Sequence, residues 1–312
     1  MKQEVNDKME EEDRGRDRGE DRTETAEEDK QEAVSPVDPI TEDHIYAPDK
    51  EESKPGRNEV DLEPGPDEGY EGPVVCIKGL RKSFHGNEIL KGVDLHVNKG
   101  ENLVVLGKSG SGKSVMIKCL VGLEWPDEGQ LELFGRDISH LSYKELNEVR
   151  LRTGFLFQNA ALYDSMTVRE NLAFPLKQHK KKMPAEKKEE LILEMLDNVG
   201  LTEVIDQMPS RLSGGQSKRI GLARTLILRP ELMLYDEPTT GLDTGTSKEI
   251  SELMIHVKKK YNISSITITH DMACARLTAD RIIMLKEGAI VAEGSYAELE
   301  KSDDEWVKSF FS

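Results

Sequence analysis

From Pro73 onward, apolar and polar positions fall into short blocks that switch between two periods. "PVVCIKGLRKSF" (73–84) and "DLHVNKG" (94–100) predict strands bounded by glycine turns, and "QLELFG" (130–135) predicts a hairpin arm. "ENLVVLGKSGSGKSVMIKCLVGL" (101–123) passes from an apolar strand through a glycine loop into helical spacing. "ELMLYDE" (231–237) and "SSITITH" (264–270) are apolar runs of buried-strand length. Between them Ile250, Leu253, Met254 and Val257 recur at i, i+3, i+4, i+7, the mark of an amphipathic helix. Strand–helix–strand order predicts an α/β fold, a sheet with parallel strands and helices on its faces. The stretch from about 159 to 211 departs from that rhythm and predicts an inserted, mostly helical subdomain.

Two apolar stretches stand outside the pattern. "FQNAALYDSMTVRENLAFPL" (157–176) leaves an apolar strand at the polar Gln158 and carries Ala160, Ala161, Leu162, Tyr163 and Met166, too apolar for a solvated loop. Either this run is a docking surface for a partner or it packs inside the helical subdomain. Thr167-x-x-Glu170 predicts a capping box opening the next helix, which Pro175 bends. At the other end, Trp306, Val307, Phe310 and Phe311 share one helical stripe. Packing onto the body is its first reading and contact with a partner protomer its second.

Charge changes the picture at the N-terminus. The formal net charge is −17 over 312 residues, and Met1–Gly72 holds 26 acidic and 10 basic residues, nearly the whole excess. This tail has few large apolar residues and cannot bury enough surface to offset its ordering entropy, so a disordered acidic tail is expected over 1–72. It is a solvating arm or an acidic interaction tail. It has no apolar core of a signal peptide, and its acidity contradicts a transit peptide. No run approaches the ~20 apolar residues of a membrane span. Cys76, Cys119 and Cys274 lack metal-ligand or redox spacing. The expectation is a cytoplasmic protein with small core cysteines.

Candidate chemistry then fills three places. "GKSGSGKS" (107–114) fits G-x-x-x-x-G-K-[ST]: glycines let backbone N–H groups curl around phosphate oxygens at a helix start. Lys113 adds a point charge at the terminal phosphates, and Ser114 offers a hydroxyl to Mg²⁺. At the end of the 232–235 run, Asp236 and Glu237 present two acids side by side, a Mg²⁺ contact and a general base, or else a solvated turn before Pro238. Ser213-Gly214-Gly215-Gln216 has capping-box form, yet two first-turn glycines each cost roughly 0.5–1 kcal/mol against alanine. Bare backbone there would let an anion approach closely. One glycine loop and a second phosphate-seeking helix end suggest two protomers arranged head to tail.

With these motifs in order, the chain from about 73 to 312 resembles an ABC-type ATPase subunit. The resemblance implies a P-loop NTPase fold with a mixed-sheet core, an antiparallel β subdomain and the inserted helical subdomain. It implies ATP and Mg²⁺ held by Gly107, Lys108, Ser109, Gly110, Ser111, Gly112, Lys113, Ser114 and Val115, the last replacing a usual threonine. Ser213, Gly214, Gly215 and Gln216 match the signature that meets the γ-phosphate of the opposite protomer in a homodimer. Gln158 matches the glutamine that senses Mg²⁺ and γ-phosphate, Asp243 the D-loop aspartate and His270 the switch histidine. Phe84 matches the aromatic that stacks on adenine, with a core phenylalanine as its alternative.

The wording of 161–176, "MPSRLSGG" and "MLYDEPTTGLD" is similar to ATPases of Mce-type (Mla-like) phospholipid transporters. That likeness implies integral membrane permease subunits docking near Ala160–Leu176, a lipid-binding Mce-type protein as a further partner, and a peripheral site on the inner face of the cell membrane. Gln216 is the general family's residue where many Mce-type relatives carry Met, which leaves an importer of polar amino acids or another small solute as the second reading. A soluble ABC ATPase acting on ribosomes or DNA would bring a second cassette or a long coiled coil, so no nucleic-acid partner is expected. The basic run "KQHKKKMPAEKK" (177–188) is a solvated loop or, if it faces the bilayer, an anionic-headgroup contact.

Overall fold

The computed structural model describes residues 70–311. The expected tail lies outside them, except for Tyr70, Glu71 and Gly72. Two sheets organise the chain. The first is antiparallel and four-stranded, in the order β2-β1-β4-β5, built from β1 (Val75–Phe84), β2 (Asn87–Val97), β4 (Glu128–Leu133) and β5 (Arg136–Asp137). Both of its tight hairpins use two-residue loops with positive φ, His85-Gly86 (49° and 80°) and Phe134-Gly135 (53° and 76°). Two consecutive positive φ values give the turn whose twist matches that of paired strands.

The second sheet is mixed and six-stranded, in the order β10-β9-β3-β8-β7-β6. Its members are β3 (Asn102–Leu106), β6 (Thr153–Leu156), β7 (Leu232–Asp236), β8 (Ser264–Ile268), β9 (Arg281–Lys286) and β10 (Ala289–Gly294). All neighbours pair parallel except the edge strand β10. Every residue of β3 and β8 is buried, as expected when both faces of a parallel sheet are covered. The polar exception is satisfied: Asn102 Oδ1 accepts from Ser265 Oγ (2.8 Å) and Thr267 Oγ1 (3.2 Å), and its Nδ2 donates to the Thr278 carbonyl (2.6 Å).

The predicted helix after β7 forms as α6 (Thr244–Tyr261), with Ile250, Met254 and Val257 buried and Leu253 half-buried. It shares a core with α3 (Val168–His179), α4 (Ala185–Asn198), α5 (Gly214–Leu226) and the sheet residues Leu156, Met233 and Tyr235. Each fully buried Leu, Ile or Met there contributes about 1.5–3 kcal/mol of apolar transfer. The capping box of Thr167 and Glu170 opens α3. Pro175 does not end the helix, which continues to His179. Its missing N–H costs one intrahelical bond, and Leu172 and Leu176 buried on either side of it hold the helix in place.

The C-terminal aromatic stripe packs on its own body, the first of its two readings. In α9 (Glu305–Phe311) Val307 is buried and Trp306 meets Phe310 edge-on at 4.8 Å. Phe311 lies 5.1 Å from Tyr296 of α8 (Tyr296–Leu299), and both join a cluster with β3 and β9. Among the described residues no helix is long and apolar enough to cross a membrane. Cys119 and Cys274 are buried, Cys76 is half-buried and none is bridged; burial pushes the Cys119 thiol up to about 11.

Candidate functional site

The glycine loop joins β3 to α1 (Lys113–Leu120), as the strand–loop–helix spacing predicts. Its glycines are required for different reasons. A Cβ on Gly107 would lie 2.4 Å from the Leu285 carbonyl oxygen and 2.6 Å from Ser111 Oγ. Gly112 has φ 103°, and a Cβ there would meet Leu90 Cδ2 at 2.8 Å. Gly110 stands in open space with φ 79°, a conformation a side chain strains. Gly112 caps α1 without any side-chain hydrogen bond, and no acidic residue occupies the first turn. The first N–H groups of α1 thus face outward with the positive end of the helix dipole behind them.

The side chains around the loop complete a phosphate cradle. Lys113 Nζ donates to the carbonyls of Gly107 (2.7 Å) and Lys108 (3.1 Å). Burial pushes its pKa down, while Glu237 and Asp236 pull it back. Ser111 Oγ is buried without a hydrogen-bond partner, a donor awaiting an acceptor. Lys108, Ser109, Gly110 and Ser114 lie at the surface. Val115 packs its side chain into the core, so only its backbone is free to serve a ligand. Phe84 is half-buried at the tip of β1, with Lys82 Nζ 5.1 Å from its ring centre.

The parallel register brings the remaining polar groups to the same sheet edge. Leu156 pairs with Tyr235, Asp236 with Ile268 and Val105 with Ile268. Gln158, Glu237 and His270 therefore follow the carboxyl ends of neighbouring strands beside the glycine loop, where open α/β sheets bind ligands. Glu237 adopts φ 51°. Its N–H donates to the Ile268 carbonyl (2.9 Å), and its Oε2 accepts from Thr240 Oγ1 (3.1 Å) and lies 2.9 Å from His270 Nδ1. Asp236 is held above the ordinary aspartate range by burial first and by Glu237 second, against Lys113, Lys118 and Lys218. A half-buried carboxyl pushed up by desolvation and then by its acidic neighbour is a place where a cation is welcome.

At the start of α5 the capping box is present: Ser213 Oγ accepts from Gln216 N–H (3.2 Å), and Gln216 Oε1 accepts from Ser213 N–H (2.9 Å). The two glycines differ. A Cβ on Gly215 would lie 2.5 Å from Thr246 Cγ2, whereas one on Gly214 would meet only Leu242 Cδ2 at 3.5 Å. Gly215 is thus required by the packing of α5 against α6, apart from any anion, and Gly214 alone leaves open room. Asp243 caps α6, accepting from Thr246 N–H (3.0 Å) and Thr246 Oγ1 (2.6 Å), bonds that hold its carboxyl below the usual range.

The apolar run after Gln158 divides between its two readings. Ala160 is buried and Leu162 leans on the helical core, while Phe157 and Tyr163 are 41% and 40% exposed. Ala160 and Ala161 hold φ 57° and 48°. Asn171 fixes this shape from full burial: its Oδ1 accepts from Tyr163 N–H (2.9 Å), and its Nδ2 donates to the carbonyls of Tyr163, Met166 and Thr167 at 3.0–3.1 Å. Arg224 of α5 donates to the Ala160 carbonyl (3.3 Å) beneath the Tyr163 ring. Sequence reasoning missed Asn171, Arg224, Thr240 and Lys218. The available signal was a polar residue in an apolar phase, as with Lys218 between the buried Gly215 and Leu222.

The family profile described as "ABC transporter" matches residues 90–240. The probable ribonucleotide transport ATP-binding protein mkl of Mycobacterium leprae is 39% identical over 241 residues, which cover 77% of this chain and 69% of that protein. The chain belongs to the ABC transporter family. The methionine import ATP-binding protein MetN of Brucella abortus is also 39% identical, over 71% of this chain and 60% of its own length. Among solved structures, cbiO1 from Clostridium perfringens, part of the ABC transporter complex cbiONQ, aligns at TM-score 0.69 and 28% identity over 73% of this chain and 91% of its own. The ATP-binding cassette MJ0796, dimeric and bound to ADP and Pi, aligns at 0.66 and 32% over 71% and 98%.

This ABC ATPase is an ATP-hydrolysing transporter subunit that binds ATP with Mg²⁺. Its cradle fits that ligand on its own terms, through the uncapped start of α1, the orphan Ser111 hydroxyl and the space kept by Gly107 and Gly112. Among the described residues no cluster of three or more His, Cys, Asp or Glu could hold a metal. Magnesium bound through one or two protein groups plus substrate phosphates needs none, and Ser114 and Asp236 are the groups that would hold it.

Proposed function

We propose that Glu237 is the general base of ATP hydrolysis. The carrying observation is its contact with His270, 2.9 Å from a carboxylate that Thr240 also binds, on a residue whose N–H is held by the Ile268 carbonyl of β8. A water attacks the γ-phosphorus, its proton passes to the Glu237 carboxylate, and the bond to ADP breaks. Magnesium, held by Ser114 and Asp236, would neutralise charge on the phosphate oxygens. Gln158 and His270 orient the γ-phosphate side, and Lys113 with the N–H groups of residues 107–115 binds the phosphates. Phe84 stacks on the adenine. Ser213, Gly214, Gly215 and Gln216, with Asp243, complete the site of a second copy of the chain. Glu237→Gln keeps the shape without the basicity, so turnover should fall about 10²–10⁴-fold with ATP binding intact. Near-normal turnover would assign the base elsewhere.

The pair works beneath membrane permease subunits on the inner face of the cell membrane and moves phospholipid or a related lipid. Exposed Phe157 and Tyr163 on a stretch pinned by Asn171 support the docking site, and the Mce-type wording of 161–176 supports the cargo. A strain lacking the protein should show altered phospholipid distribution between its membranes. The names of the relatives, ribonucleotide transport and methionine import, favour a second reading, an importer of a polar solute. Normal lipid distribution with lost uptake of methionine or a nucleotide would establish that reading instead.

A further inference from the structure

Lys218 is a buried cation, 6% exposed, in the helix that begins at the signature serine. Its Nζ donates to the backbone carbonyl of Glu237 at 3.2 Å. That carbonyl belongs to a residue held at φ 51°, a left-handed conformation that is strained for a non-glycine residue. Pro238 follows directly and biases the preceding residue toward extended backbone, and the local support is slight, a Thr240 N–H donated to the Glu237 carbonyl at 3.3 Å. Tertiary contacts must therefore impose it. Two are visible. The Ile268 carbonyl takes the Glu237 N–H at 2.9 Å, and Lys218 grips the other side of the same residue.

We infer that Lys218 is a positioning residue for Glu237, tying the general base to the helix whose first turn carries Ser213. The lysine touches no reacting atom. It fixes the direction in which the Glu237 side chain leaves the strand, and with it the oxygen that takes the proton from water. Burial of the amine holds its pKa below the usual lysine range, and the nearby Glu237 and Asp236 offset part of that. Because α5 is one continuous helix from Gly214 to Leu226, a displacement of its signature end reaches the Glu237 carbonyl within a single turn. This assignment rests on Glu237 being the base.

The test is steady-state ATP hydrolysis by the full-length protein carrying Lys218→Met, Lys218→Arg, Glu237→Gln, or Lys218→Met with Glu237→Gln. Methionine keeps the length and loses the donor. A base misplaced by about an ångström loses roughly 10- to 100-fold in turnover, so Lys218→Met should lower kcat by that factor with KM for ATP within about twofold and an unchanged melting temperature. Arginine, which keeps the donor, should recover most of the loss. In the Glu237→Gln background Lys218→Met should cost nothing further. Turnover within about twofold of the parent in Lys218→Met, or equal losses in the Met and Arg variants, overturns the positioning role. Retained turnover in Glu237→Gln instead sinks the base assignment on which it stands.

Discussion

The starts of α1 and α5 both carry glycines next to serines, and they are built in opposite ways. The start of α1 is open: Gly112 caps it with no side chain, and Ser111 Oγ is buried without a partner. The start of α5 is closed on itself, with Ser213 and Gln216 satisfying one another's backbone N–H groups. An uncapped end surrounded by packing that forbids a Cβ has its ligand as the missing part. A self-capped end is stable without a ligand and has the N–H groups of Gly214 and Gly215, plus the Ser213 hydroxyl proton, left to offer. The contrast supports the proposed reading, with the first as the resident nucleotide site and the second as a surface that adds to the site of a second copy.

The comparison breaks most visibly at Gly112. Gly112→Ala places a Cβ 2.8 Å from Leu90 Cδ2 and 2.9 Å from the Ile89 carbonyl, at φ 103°. Overpacking of this kind costs typically 1–3 kcal/mol, and strain at such a φ adds to it. The cradle should collapse, with loss of measurable ATP binding by calorimetry and a marked drop in melting temperature. An alanine variant that binds ATP normally would show that the loop shape is not what holds the phosphates.

The next effect separates the glycines of α5. Gly215→Ala should lower the unfolding free energy by about 1–3 kcal/mol because its Cβ runs into Thr246 Cγ2 at 2.5 Å, and Thr246→Ser should restore most of that. Gly214→Ala meets only Leu242 Cδ2 at 3.5 Å and should leave the isolated subunit as stable as the parent. Loss of ATP-driven dimerisation in Gly214→Ala, read by light scattering, would then be a property of the interface rather than of the fold. Equal stability of the two variants would remove the distinction.

How far these features were legible depends on how local their causes are. The glycine loop, the acid pair and the capping boxes of α3 and α5 were readable because spacing within eight residues decides them. The sheet followed from β3, β7 and β8, whose apolar runs need both faces buried; β9 and β10 drew no comparable reading because β9 is placed by β3, far earlier in the chain, and β10 is placed in turn by β9. The stretch 157–166 was readable as anomalous but not as divided. Its inward half is decided by Asn171 and Arg224, which reach back 8 and 64 residues. The length of α3 past Pro175 has a related cause, since tertiary burial of Leu172 and Leu176 carries the helix on to His179. At Gly215 the sequence shows that a side chain is unwelcome, but not that Thr246 is what excludes it.

A smaller effect sharpens the idea that α5 caps itself. Ser213→Ala removes the acceptor for Gln216 N–H and should cost about 0.5–2 kcal/mol of stability in denaturant titration. Ser111→Ala, at the open end, removes a hydroxyl that has no partner within the protein, so it should leave apo stability unchanged or raise it. A larger stability loss at Ser111 than at Ser213 would reverse the contrast between the two ends.

The smallest effect concerns the acid pair beside the open end and is read through pH. Asp236 has a folded pKa raised above its unfolded value, chiefly by burial and then by Glu237. Between the unfolded and folded pKa values the native state therefore holds more protons than the unfolded chain, and stability falls as pH rises through that window. Above it the ionised pair is a standing destabilisation in the nucleotide-free protein. Asp236→Asn should therefore raise the melting temperature of the apo protein at pH 7, and the gain should shrink as pH falls below the ordinary aspartate range, where the parent carboxyl is protonated in both states. The same variant should weaken Mg²⁺-dependent ATP binding, so that added MgATP stabilises the parent more than the variant. The two signs together distinguish a carboxylate kept for a cation from one kept for structure: a structural aspartate would lose stability on becoming asparagine. A lower melting temperature of Asp236→Asn at neutral pH without nucleotide would show that its charge is already compensated by Lys113, Lys118 and Lys218 before any metal arrives.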